Sequence, residues 1–325
     1  MKIDFKLKPT FLIIFVMVFT VKVQAQATVS NYQLFCPQNE LPSKIINQVY
    51  ILNKEIKCHR IENYLNVIKA INKFNPAKVP SITFSIELNN DDASNISENI
   101  KIPYQLTSYD SDGEFQLSQS LSNNYLAHEY GHSIFNKLVG TVFNPLKNSL
   151  LQLEKLNQLQ YTIFDSIIKN KVELAERLEN ELIIKEEIVY TDDEILDPIF
   201  HILPLSELYS DLVAVLYAND LQAFSKTYIG KNPSQNNIEE ASLRDFSENH
   251  TLETWDNESR HAYYAPTRTV LGKKIKFPLS DSSKEILLKK FADIMILEVM
   301  EKWQREILSP YQNNKDLIQK INLYL

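Results

Sequence analysis

The run Ala127-His128-Glu129-Tyr130-Gly131-His132 constrains the fold of this chain more than any other stretch. Residues four apart in a helix lie one turn apart on the same face, so a helical backbone lets His128 and His132 both point a ring nitrogen at one metal ion. The surrounding residues predict such a helix over about Gln116 to Leu138, with Leu117, Leu121, Tyr125, Leu126 and Ile134 apolar and Gly140 near its end. Glu129 is too close in sequence to complete the chelate comfortably. It is placed instead to take a proton from a metal-bound water.

Two histidines do not complete a catalytic zinc site, which takes three protein ligands and keeps the fourth position for water. Ser133 to Leu138, directly after the second histidine, supply neither a glycine nor a third histidine. Ser206-Glu207-Leu208-Tyr209-Ser210-Asp211 does better, because Glu207 and Asp211 are four apart on a short apolar helix predicted over about Leu205 to Tyr217. Leu208, Leu212, Val215 and Leu216 pack elsewhere around it. A carboxylate in such a helix is costly unless it meets a cation, which a zinc ion provides. Glu207 is the expected third ligand, and Asp211 is placed to accept a hydrogen bond from a ligand histidine.

On HExxH at His128, Glu129 and His132, and ExxxD at Glu207 and Asp211, the chain resembles the gluzincin group of zinc metallopeptidases, the thermolysin-like clan. The resemblance covers two short helices, and Ser206 stands where such sequences often have Asn. It implies Zn2+ bound by His128, His132 and Glu207, water activated by Glu129, and a ligand histidine supported by Asp211. It also implies a hydrogen-bond donor, downstream of the third ligand, for the oxyanion of a cleaved amide. His261 is the first choice and Tyr264 the second; the adjacent Tyr263 is either a further donor or a residue facing the core. Packing of a loop over Arg260 to Arg268 accounts for these aromatics equally well. Arg268 is suited to pair with an acidic side chain or a peptide terminus. His59, His201 and His250 read as structural or surface residues, and Asp192, Asp193 and Glu194 as a solvated loop.

The expected fold class is α+β and mostly helical: a zincin-like catalytic domain with a small sheet in front and helices behind. Leu41 to Phe74 reads as helical, with an interruption around Lys57-Cys58-His59. Ser81 to Leu88 alternates polar and apolar residues with the period of a half-buried strand. Asn89 to Asn99 reads as a loop, and Ile100 to Leu106 as a second strand kept at the sheet edge by Pro103. Asp110 to Gly113 is a turn. A helical insertion of about 145–190 folds back at Lys169-Asn170-Lys171, with one continuous helix as the alternative. It either controls access to the cleft or is a packing element. A loop holds Asp192 to Pro198, and Tyr228 to Leu279 is loop-rich. Helices follow over Leu287 to Ile307 and Asp316 to Leu325.

Composition narrows the partners. Lys2, Lys6 and Lys8 followed by the apolar run Phe11 to Val21 and the small residues Ala25 and Ala27 predict a cleavable export signal over 1–27. The expected location is therefore periplasmic or secreted, with 28–325 as one domain. No later stretch reads as a membrane span. Cleavage shifts the formal net charge from −7 to −10, which with no basic stripe argues against nucleic acid. Five glycines in 325 residues include no phosphate-cradling loop. Cys36 and Cys58 are either a disulfide or two buried thiols. The leading expectation is a zinc peptidase acting on a peptide or protein; a non-catalytic zinc-containing binding protein and a small-molecule zinc hydrolase are the alternatives.

Overall fold

The computed structural model describes residues 46–51, 58–77, 82–87, 94–96, 99–103, 107–110, 113–116, 119–231, 235–253, 255–303 and 309–325. The export signal and Cys36 lie outside them.

Ile46–Ile51 (β1) is a strand where a helix is expected, and the helix α1 runs only over Cys58–Asn72. Ile46, Val49, Tyr50 and Ile51 are β-branched or aromatic and suit a pleated surface, and so short an apolar run does not declare its period. Ile82–Glu87 (β2) falls where a strand is expected. Ser94–Ile96 (β3) lies inside the expected loop, and Asn99–Pro103 (β4) follows. The sheet order is β1-β2-β4-β3, parallel from β1 through β2 to β4 and antiparallel between β4 and β3. β4 is thus interior rather than an edge. Pro103 is its last residue, where a missing N–H removes little from the ladder. Thr107–Asp110 (β5) and Gly113–Gln116 (β6) form a separate hairpin about the expected turn.

Ten helices, α1 included, are present among the described residues, and they build the core. Gln119–Gly140 (α2) carries the HExxH run. Asn144–Ile168 (α3) and Val172–Thr191 (α4) fold back on each other at 169–171, where Asn170 takes a left-handed φ of 54°, so the insertion is a hairpin and not one helix. Asp193–Ala218 (α5) is far longer than expected and absorbs the predicted loop. Asp192 caps it by accepting a hydrogen bond from the Glu194 N–H at 2.9 Å. Pro198 and Pro204 lie inside the helix, which is held by burial of nearly every residue from Leu205 to Leu216. By length and composition α5 can cross a membrane, contrary to the sequence expectation, but 72% of its apolar window is buried by the rest of the protein. Ala223–Lys231 (α6), Gln235–Ser242 (α7), Ala265–Lys274 (α8), Asp281–Lys302 (α9) and Pro310–Tyr324 (α10) complete the order. Arg268 therefore stands on a helix, not in a loop.

α2 packs most extensively on α5. Leu126, Ala127, Tyr130, Ile134, Phe135 and Val139 of α2 meet Leu208, Tyr209, Leu212 and Val215 of α5 in one hydrophobic core. The strands contribute one described side chain to that core, Ile100. The expected α+β class, with a small sheet as part of a zincin-like catalytic domain, is therefore corrected: the body that carries the core and the site is helical. The physical reason is the length of α5, whose stretch Leu205 to Leu216 is buried on every face among helices and needs no sheet.

Candidate metal centre

The α2–α5 contact brings His128, His132 and Glu207 together as a buried group able to bind a metal ion, with one ligand atom from each within 4.8 Å of the others. The two Nε2 atoms are 3.1 Å apart. Glu207 Oε2 lies 3.4 Å from Nε2 of His128, and Oε1 lies 3.9 Å from Nε2 of His132. Tetrahedral coordination at about 2.0–2.1 Å spaces ligand atoms about 3.3 Å apart, so the donor set fits one ion with little movement.

The other ring nitrogen of each histidine faces a group on α5. His132 Nδ1 is 2.7 Å from the Ser206 hydroxyl. His128 Nδ1 is 2.9 Å from Asp211 Oδ1, close enough to pair although not aligned as a hydrogen bond. Phe224 of α6 stacks on the His128 ring with centroids 4.2 Å apart. Partners of this kind set a ligand's tautomer and orientation. Ser206, standing where the resemblance suggests Asn, is thus in contact with a ligand.

Two residues that the sequence reading did not assign to the site complete it. Arg244, just after α7, donates from Nη2 to Asp211 Oδ1 at 2.6 Å and to Glu207 Oε2 at 3.0 Å. Glu240 of α7 lies 3.2 Å from Nδ1 of His261, whose Nε2 is 3.5 Å from Glu207 Oε1. Arg268 does pair with an acid, donating to Asp211 Oδ2 from Nη2 at 2.6 Å and from Nε at 3.0 Å. Nothing in the local spacing around Arg244 or Glu240 marks them, because their partners are brought to them only by folding.

Burial governs the electrostatics. Burial pushes the Glu129 carboxyl up to about 7, with the nearby charge of Glu207 adding to it and His128 and Arg244 opposing. Burial alone would also raise Asp211, but Arg244 and Arg268 hold it below the usual carboxylate range. Glu207 is likewise held low against its burial, chiefly by His261 and His128. Burial lowers His132 to about 3; for His128 the acids Asp211 and Glu207 overcome burial and raise it to about 9.

Of the proposed oxyanion donors, His261 approaches the ligands and is partly exposed. Tyr264 does not join them: its side chain is in the hydrophobic core, and its ring packs on Tyr263 at 4.9 Å. Tyr263 accepts a hydrogen bond from Asn313 at its hydroxyl, which ties it to α10. His201 and His250 contact backbone carbonyls, of Val299 and Ser242, in line with structural roles. Comparison of the chain with protein-family models, with curated proteins and with solved structures finds no match.

Proposed function

We propose that the protein is an exported zinc-dependent metallopeptidase of gluzincin type. The convergence of His128, His132 and Glu207, with the Glu129 carboxylate buried beside them, carries this reading. Two imidazoles and one carboxylate suit zinc, and three protein ligands leave a position open, as catalytic sites do. Zinc, when bound, supplies a Lewis acid for a carbonyl oxygen and makes water more acidic. Glu129 takes a proton from the attacking water as the new C–O bond forms, and delivers a proton to the amine as the C–N bond breaks. His261 has Glu240 on Nδ1 and its Nε2 3.5 Å from Glu207 Oε1, where it also accepts from Arg260 Nε at 3.1 Å; it donates to the developing oxyanion once Nε2 has given up Arg260 and carries a proton.

Digestion of a peptide library tests this. Cleavage by the zinc-loaded protein that stops on chelation, and is absent from zinc-loaded Glu129→Gln, supports a peptidase. Zinc binding without any cleavage overturns it in favour of a binding protein or a hydrolase of small molecules.

A further inference from the structure

Of the two buried arginines, Arg244 is the one within hydrogen-bond reach of a ligand. Its Nη2 donates to Glu207 Oε2 at 3.0 Å and lies 3.5 Å from Nε2 of His128. Those two atoms are among the ones whose lone pairs a metal ion would take. The same Nη2 bonds Asp211 Oδ1 at 2.6 Å, while Nε reaches Oδ2 at 3.2 Å. The guanidinium also lies over the Phe224 ring, 4.1 Å from its centroid. Three buried acids, Glu129, Glu207 and Asp211, meet two buried cations here, Arg244 and Arg268. Arg268 is spent on Asp211, so Arg244 is the arginine that pairs with Glu207, beside His261 and His128.

We propose that Arg244 is a built-in placeholder for the metal. In the metal-free protein it holds Glu207 in its binding position. When the ion binds, Arg244 gives up Glu207 and keeps Asp211, which anchors it at both Nη2 and Nε. A fixed positive charge beside a dication opposes binding, so the device exchanges affinity for a site that is preformed when empty. The proposal rests on metal binding by this triad and not on peptide hydrolysis.

Zinc affinity and melting are to be measured on the chelated and the zinc-loaded full chain. Arg244→Gln removes the charge while leaving an amide that can still donate to Asp211. It should lower the melting point of the metal-free protein and tighten zinc binding by roughly tenfold or more, the scale of removing a unit charge a few ångströms from a dication. Arg244→Lys keeps the charge and should bind zinc close to wild type. A crystal structure of the zinc-loaded wild type should show Nη2 beyond hydrogen-bond reach of Glu207 and still on Asp211. Zinc binding by Arg244→Gln as weak as wild type or weaker overturns the proposal, as does an intact Arg244–Glu207 bond in the loaded structure. If Arg244→Gln does not fold, the loaded wild-type structure decides. Failure of the wild type to bind zinc overturns the metal reading itself, an outcome distinct from both.

Discussion

A β-carbon on Gly131 would lie 2.7 Å from the Cα of Ser210, so α2 and α5 touch backbone to backbone beside the candidate ligand His132 and the buried Asp211. No side chain fits there without moving one helix. The identity of residue 131 therefore sets how closely the two histidines approach Glu207.

Gly131→Ala should destabilise the protein by about 1–3 kcal/mol, the usual cost of overpacking, and lower its zinc affinity. Gly140→Ala is the control: its β-carbon would meet nothing nearer than Leu150 Cδ1 at 3.9 Å. It should leave both properties unchanged or raise the melting point slightly. Equal effects of the two substitutions in thermal melts and zinc titrations would show that the close approach is not limiting.

Replacing His128, His132 or Glu207 by Ala removes one of three ligands, and each variant should lose most of its zinc by elemental analysis. Glu129→Gln keeps all three ligands. It should retain zinc while turnover falls by at least roughly 10²-fold, the scale of lost general acid–base help. Full zinc content in Glu207→Ala would mean that another acid completes the set.

Asp211→Asn preserves shape but leaves Arg244 and Arg268 buried without their shared counter-charge. Breaking such a buried arrangement from one side costs about 3–5 kcal/mol, measurable as a lower urea midpoint. Asp165→Asn, which breaks an exposed pair with Lys169, should cost less than about 1 kcal/mol. A small loss at Asp211 would show that its arginines find other partners.

His201 should give the fold a dependence on pH away from the candidate metal site. Burial holds its imidazole below the ordinary 6.5, the charge of Lys302 adds to this, and the hydrogen bond from Nε2 to the Val299 carbonyl opposes it. The unfolded chain binds this proton near pH 6.5 and the folded one does not. Its contribution is therefore present above that pH and is lost as pH falls below it. Melting curves between pH 7 and pH 5 should show a steeper loss for wild type than for His201→Gln. Parallel curves would assign the acid sensitivity to other groups.

His261 and Tyr264 separate the two candidate oxyanion donors. His261→Ala should lower turnover by about 10²–10³-fold with zinc retained. Tyr264→Phe, altering a core side chain, should change stability rather than turnover. The reverse pattern in a peptide-turnover assay would return the role to Tyr264.

The ligand pattern was legible in the sequence because it is local. His128 and His132, and Glu207 and Asp211, are each one helical turn apart, and helical geometry alone puts each pair on one face. The α3–α4 hairpin was also legible, since leucines at helical spacing flank the break at Lys169-Asn170-Lys171. Less so was the front of the chain, where Ile46–Ile51 is too short for its period to tell strand from helix. The acids and Pro198 suggested a loop over Asp192 to Pro198, which the helix anchored by its buried stretch Leu205 to Leu216 overrides.

What only the tertiary structure decided is how the charges pair. Arg244 lies 37 residues from Glu207 in the chain and 116 from His128, and no periodicity links positions so far apart. His261 and Tyr264 looked alike as donors because each has an N–H or O–H in one segment. Packing placed one beside Glu207 and the other in the core. By itself the sequence determined which side chains can hold a metal, since that follows from spacing along a helix. Their approach distance, their counter-charges and their exposure follow from how α2, α5 and the segment after α7 pack, where a missing β-carbon at Gly131 and a buried arginine at 244 set the geometry.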